Sequence, residues 1–351
     1  MKPADTAVSQ FDVFTQLRFP LILLVVYAHT YSGVDPAYSL PLSGWNTYEC
    51  LKILVGQTLA KVAVPAFYAM SGYLFFCGIS QWSRHAYWQK LRRRCRSLLL
   101  PYLLWNALLA LRYRQFTWHV FWDFYPAAGA QTDWLGHEQL LVAPLNMPLW
   151  FLRDLMVVSL LSPLFYWVLR RAGLWLLGLL TVAYLSGVCA FVPGLSAYAV
   201  YFFACGAYFG IRKTDVVSLM RRVELPAYAL SALLAVLMLF TYHAPCFSSL
   251  MLAFRLTGMV ALFCLASRVL AATPRRLPAV VSSSAYFIYL CHFVFFLAAI
   301  DRLLLSLLGS SAPALCLHYL LSPPLKVAVY LAVYVLWHRL RAFVSKSRFC
   351  F

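Results

Sequence analysis

An arginine and a histidine, Arg18 and His29, lie in the apolar run Leu17-Arg18-Phe19-Pro20-Leu21-Ile22-Leu23-Leu24-Val25-Val26-Tyr27-Ala28-His29-Thr30. At about 100° and 1.5 Å per helical residue, the eleven steps between them bring His29 to within about 20° of the face of Arg18, roughly 16 Å further along the axis. An imidazole with an ordinary pKa of about 6.5 can accept a hydroxyl proton at neutral pH, and a guanidinium can hold a phosphate or a developing oxyanion. The plainer readings are a lipid-headgroup anchor for Arg18 and one helix–helix hydrogen bond for His29. Ionisable groups inside a membrane span are costly and face a protein interior or cavity by default, so the pair reads as functional.

Other cations interrupt apolar sequence. Lys61, Arg153, Arg255, His292 and Lys326 all fall at membrane depth or near an edge, and Asp154 is the carboxylate close to them in sequence. Their anionic company can be a bound polyanion, an aromatic face, a helix C-terminus or lipid phosphate. The densest basic stretch is Lys90-Leu91-Arg92-Arg93-Arg94-Cys95-Arg96-Ser97, ahead of Leu98-Leu99-Leu100-Pro101-Tyr102. If a helix begins early there, Arg93 and Arg96 share a face at i, i+3 spacing, and their planar forks suit phosphate oxygens. A stop-transfer cluster that merely sets topology is the alternative, and the excess of charge over that need argues against it.

These residues must be positioned by membrane helices. Of 351 residues 63% are hydrophobic and only 11% charged, and the mean hydropathy is +0.75, which excludes a soluble domain. The expected architecture is all-α and polytopic, one membrane domain over residues 1–351 with ten spans. They run over about 14–34, 52–79, 98–112, 148–169, 174–192, 196–211, 224–242, 248–270, 282–308 and 318–340.

The net charge of +18 is sorted by loop rather than aimed at nucleic acid. One set of loops holds Arg84, the Lys90–Arg96 cluster, Arg170, Arg171, Arg212, Lys213, Arg221, Arg222, Arg268, Arg275, Arg276 and a basic tail. The opposite set holds Lys52, Arg112, Arg114 and Arg302 beside Asp35, Glu49, Asp123, Asp133, Glu138 and Asp301. The positive-inside rule and an even span count place both termini in the cytoplasm, with Arg18 near the cytoplasmic face and His29 deep and towards the outer half. Met1 to Phe14 lacks the basic start and cleavage site of a signal peptide, so the first span is expected to be retained. The ten cysteines show no C-x-x-C or metal spacing, and neither metal nor redox chemistry is expected.

In order along the chain, these features resemble the membrane-bound acyltransferase 3 family. Arg18 and His29 match its first-helix arginine, ten residues and histidine; Lys61 to Tyr73 match a phrase of its second helix; Arg96 to Tyr102 match its arginine run into Leu-Leu-x-Pro-Tyr. Trp150 to Arg153 match a Trp-Phe-Leu-Arg opening, and Tyr289 to His292 a late Tyr-Leu-x-His. An acidic residue often found a turn before the arginine is Thr15 here, so no role for that acid carries over.

The resemblance implies a cell-envelope O-acyltransferase in the bacterial inner (plasma) membrane. It would move an acyl group, commonly acetyl, from cytoplasmic acyl-CoA (acetyl-CoA) to a hydroxyl of a glycan or lipid-linked acceptor. His29 would be the general base, Arg18 would bind donor phosphate or oxyanion, and Arg93 and Arg96 would take the phosphates of CoA. Lys61, Ser71, Arg153, Tyr289 and His292 would line the acceptor site. The rival class is a polytopic solute transporter or exporter, for which polar residues in interrupted spans also serve; the absence of paired halves and the scarcity of buried carboxylates count against it.

Overall fold

Ser9 starts the first helix. Its hydroxyl accepts the Phe11 amide hydrogen at 3.2 Å, and Asp12 lies in the first turn, where the dipole favours a carboxylate. The computed structural model describes residues 8–30, 47–122, 131–132, 138–139, 143–186, 194–242, 244–273, 275–293 and 297–347, with side chains beyond 341 and those of 131–142 left aside. Asp35, Asp123, Asp133, the 31–34 end of the expected first span and the 187–192 end of the fifth lie outside the described residues.

The first helix, α1, is Gln10–Ala28. It begins four residues before the expected start, so Arg18 stands a little over two turns inside it instead of opening it, and His29, expected deep and towards the outer half, is its C-terminal cap. The cap at Ser9 is the reason: it supplies a partner for an orphan amide and lets the helix start in a polar segment.

The second span is α2 (Thr47–Lys52), a π-helical stretch Ile53–Thr58, a 3-10 turn Leu59–Val62 and α3 (Ala63–Phe76). Next come α4 (Arg84–Arg94), a π turn Cys95–Leu99, α5 (Leu100–Tyr113), α6 (Trp150–Leu160) and α7 (Ser162–Leu185), which kinks at Ala172. α8 (Ala197–Arg212), α9 (Val216–Arg221), α10 (Glu224–Phe240) and α11 (Phe247–Ala272) follow, then α12 (Ala279–Cys291), α13 (Leu297–Leu308) and α14 (Ala312–Ser347). A two-residue antiparallel pair, Gln131–Thr132 with Glu138–Gln139, is the strand structure among the described residues.

Among the described residues every expected span is thus mainly helical, but two are broken. The fourth stops at Leu161, ahead of Ser162-Pro163, and the ninth stops at His292. Five helices among the described residues are long and apolar enough to cross a membrane: Gln10–Ala28, Thr47–Phe76, Ser162–Leu185, Phe247–Ala272 and Ala312–Arg341. The third, fourth, sixth, seventh and ninth expected spans are shorter helices or pairs of helices. The chain is an all-helical integral membrane protein.

It folds as two compact units, residues 1–60 with 266–351, and residues 61–265. In the first, α1 packs along α12 and α14. Phe14, Leu17, Leu21 and Val25 make a buried row on α1 at helical spacing. Tyr27 donates its hydroxyl to the Leu320 carbonyl at 3.1 Å, while Tyr319 donates to the Tyr27 carbonyl at 3.3 Å. This reciprocal clasp, backed by buried Tyr48 and Leu315, ties α1 to α14. Pro20, Pro323 and Pro324 sit within these helices, as bilayer helices tolerate.

Asp301, grouped by sequence with outer-side charges, lies within α13 and binds α14. It accepts from His318 Nε2 at 3.1 Å, Ser322 Oγ at 2.5 Å and Lys326 Nζ at 2.7 Å. The three donors are spaced i, i+4, i+8, one stripe of α14. Lys326 therefore has a carboxylate for company rather than reaching for an interface.

In the second unit α3 lies against α8 with backbones nearly touching. A Cβ on Gly206 would fall on the Ala69 carbonyl, one on Gly72 on the Phe203 carbonyl, and one on Gly210 on the Tyr73 carbonyl. Where lipid removes the hydrophobic drive between helices, small residues allow such approach and the dispersion contacts that come with it.

Two outcomes follow for stability, both measurable by thermal unfolding of the detergent-solubilised protein. Gly206→Ala forces backbone apart and should cost roughly 1–3 kcal/mol. Asp301→Ala strands the buried Lys326 and should cost about 3–5 kcal/mol, most of it regained when Lys326→Met is added.

Candidate active site

Two helices end at histidines, and the histidines meet. His29 follows the last residue of α1, His292 follows the last residue of α12, and their ring centroids are 5.4 Å apart. The Phe293 ring packs on His29 at 6.1 Å, and the Tyr289 ring lies 6.0 Å from that of His292. His292 is fully buried, whereas His29 keeps partial exposure.

The meeting is a consequence of register. Gln16 of α1 accepts the backbone amide hydrogen of Leu277, just before α12, at 2.7 Å, which sets the two chains level at that point. From there His29 is thirteen residues on and His292 fifteen, so at 1.5 Å per residue the two rise by roughly 20 and 22 Å. Parallel packing of α1 and α12 then leaves the rings at one height.

The tautomer of His292 is fixed by its own helix. Nδ1 lies 2.7 Å from the Tyr289 carbonyl oxygen, which can only accept, so Nδ1 carries the hydrogen. In the neutral ring Nε2 is then a bare lone pair; it is buried and has no hydrogen-bond partner among the described residues. Both rings also lie at the C-terminal ends of their helices. The bare Nε2 can accept a hydrogen bond.

Arg18 is exposed, although Ile22 and Val26, further along the same face, are fully or almost fully buried. The face shared by Arg18 and His29 is thus covered by protein at its His29 end and open at Arg18.

The other sequence candidates lie in the second unit. Arg93, at the end of α4, and Arg96, in the π turn that follows, are both exposed and line one open groove of about 660 Å³ with His85, Trp88, Gln89 and Arg92. Ser71 is held from the same segment: Arg94 donates to its Oγ at 2.8 Å. Arg153 is fully buried, donating through Nε to Asp154 at 3.1 Å and through a terminal nitrogen to the Trp122 carbonyl at 2.5 Å. Asp154 also accepts the Ser196 amide at 3.2 Å, so this pair knits α6 to the start of α8. Arg255 bonds the Tyr198 hydroxyl and lies over its ring, 4.4 Å from the centroid. Lys61 is half-buried in the 3-10 turn.

Sequence reasoning missed three things here. Arg94 as the partner of Ser71 had no signal beyond membership of the arginine run. Asp301 could have been found from the i, i+4, i+8 donors of α14. The pairing of His29 with His292 had none, because residues so far apart in sequence are joined only by packing. No metal-binding group of three or more histidine, cysteine or acidic residues occurs among the described residues.

A family model described as an acyltransferase domain matches residues 12–337, nearly the whole chain. A curated relative, the succinoglycan biosynthesis protein ExoH of Rhizobium meliloti (strain 1021), is 32% identical over 162 residues, 44% of this chain and 42% of that protein. This chain therefore covers less than half the length of that relative. No solved structure matches. The Arg18–His29 helix, the Arg96–Tyr102 segment and the Tyr289–His292 turn all lie inside the matched range, and the chain belongs to the acyltransferase 3 family.

Proposed function

We propose that the protein transfers an acyl group, acetyl in the simplest case, from acyl-CoA to a hydroxyl of a cell-envelope glycan or lipid-linked acceptor at a bacterial inner membrane. Family membership supports acyl transfer, and the resemblance to a bacterial succinoglycan biosynthesis protein supports a polysaccharide acceptor. The observation that carries the reading is the histidine pair within the matched range, one ring partly exposed and the other buried.

In this reading His29 removes the proton from the acceptor hydroxyl as its oxygen attacks the thioester carbonyl. An alcohol is a weak nucleophile at neutral pH, and such a base contributes about 10²- to 10⁴-fold in rate. Both helix C-termini stabilise the imidazolium that forms. Arg93 and Arg96 grip the phosphates of acetyl-CoA in the groove beside Trp88, an exposed indole able to stack on a base. Arg18, on the open part of α1, takes donor phosphate or the oxyanion. Tyr289 and His292 border the reacting hydroxyl, and Lys61, Ser71 and Arg153 are further acceptor-side candidates. Ten spans with cytoplasmic termini complete the proposal, which puts the basic groove on the side where CoA is found.

The broken ninth span favours one rival, since interrupted helices also mark solute pathways in transporters. Purified protein in nanodiscs with acetyl-CoA separates the two. Acyl transfer releases a free thiol when envelope glycan is supplied, whereas transport moves solute across proteoliposomes without thiol release.

His29→Ala should leave a folded protein whose glycan acylation, read by mass spectrometry of the cell envelope, falls by about 10²-fold or more. The double change Arg93→Gln with Arg96→Gln should raise KM for acetyl-CoA by roughly tenfold or more and leave kcat within a few-fold, because it removes charge-assisted bonds far from the reacting carbonyl. Failure of acetyl-CoA to raise the melting temperature of the wild-type protein at any concentration would overturn the donor assignment.

A further inference from the structure

We propose that His292 is a positioning residue for His29: its Nε2 lone pair, held in place by the Nδ1–H bond to the Tyr289 carbonyl, accepts a hydrogen bond from the imidazolium that His29 becomes on taking the acceptor proton. The inference rests on the acyltransferase reading above and assigns a role within that site.

Three observations carry it. The Nδ1–H···O=C bond at 2.7 Å leaves Nε2 as the accepting nitrogen. Nε2 is buried without a hydrogen-bond partner among the described residues, an arrangement that costs free energy and calls for an explanation. The rings are within reach: an imidazole nitrogen sits about 1.1 Å from its ring centre, so rings joined by an N–H···N bond of about 3 Å have centres about 5.2 Å apart. The observed 5.4 Å between centroids is close to that separation.

The step balances. The acceptor O–H bond breaks, its oxygen forms the bond to the thioester carbonyl carbon, and its proton passes to one nitrogen of His29. The other nitrogen of His29, as N–H of an imidazolium, donates to His292 Nε2. Collapse of the tetrahedral intermediate breaks the C–S bond, and the thiolate that leaves takes back the proton. His292 begins and ends neutral, and no further reactant is consumed.

A purely packing role for His292 has a different signature. Packing tolerates a residue of matching bulk whatever atom stands at the Nε2 position. His292→Asn keeps a donor near the Tyr289 carbonyl and removes the acceptor at Nε2, while His292→Gln puts an amide oxygen close to the Nε2 position. In nanodiscs with acetyl-CoA and isolated envelope glycan, His292→Asn should lower kcat roughly ten- to a hundredfold with KM for acetyl-CoA unchanged, the worth of a hydrogen bond to a charged group. His292→Gln should recover a good part of that loss. Equal activity of both variants with wild type, or equal loss in both with a raised KM, overturns the proposal.

A second measurement keeps the test alive if the acyltransferase reading itself fails. In full-length protein labelled with ¹⁵N-histidine, the resonance lost in His292→Gln should be that of an Nδ1-protonated ring, and it should move in His29→Gln. An Nε2-protonated ring at position 292, or one indifferent to His29, refutes the pairing whether or not thiol is released.

Discussion

A short hydrogen bond between a histidine and the carbonyl three residues before it decides how this site is built. His292 Nδ1–H on the Tyr289 oxygen ends α12 with a side chain instead of another turn and turns the far nitrogen into an acceptor. The bond has its effect because a second helix ends at the same height. α1 and α12 are set level by the Gln16–Leu277 contact, and equal rise along two parallel helices delivers His29 and His292 together. A shift of one residue in either helix would turn one of the rings about 100° away from the other.

The remaining buried cations show how a chain poor in carboxylates settles its charges. Lys326 meets Asp301, Arg153 meets Asp154 and a backbone carbonyl, and Arg255 meets the face and hydroxyl of Tyr198. Lys326 with Asp301 joins α14 to α13 and Arg255 with Tyr198 joins α11 to α8, while Arg153 and its neighbour Asp154 tie α6 to the Trp122 carbonyl and the start of α8. Removing one partner leaves the other charged and desolvated, which is why such contacts hold helices in place even though assembling them gains little. Arg93 and Arg96 are instead exposed in an open groove. That division separates cations held by protein groups from cations open to solvent.

The close approach of α3 and α8 supplies rigidity by another route. Three glycines let carbonyls and backbone of the facing helix come where side chains would otherwise stand. In a bilayer this dispersion contact replaces the hydrophobic drive that would pack the same helices in water. The unit that carries the basic groove is therefore held by backbone proximity, and the unit that carries the histidines is held by the tyrosine clasp and the Asp301 cluster.

Several features could be read from the residues alone. Apolar runs of the right length announced a helical membrane protein, because hydrocarbon demands that each segment satisfy its own backbone. Spacing placed Arg18 and His29 on one face, and the arginine run marked a basic segment, since both are local properties of a helix. Element ends were less legible: the cap at Ser9 started the first helix earlier than expected, its other end fell at His29, and the ninth span stopped at His292 where apolar sequence continued. Partnership was not legible at all. That His29 meets His292, that Asp301 lies in a helix under Lys326, and that Arg94 holds Ser71 depend on how helices distant in sequence pack side by side. Periodicity within one helix carries no information about that packing.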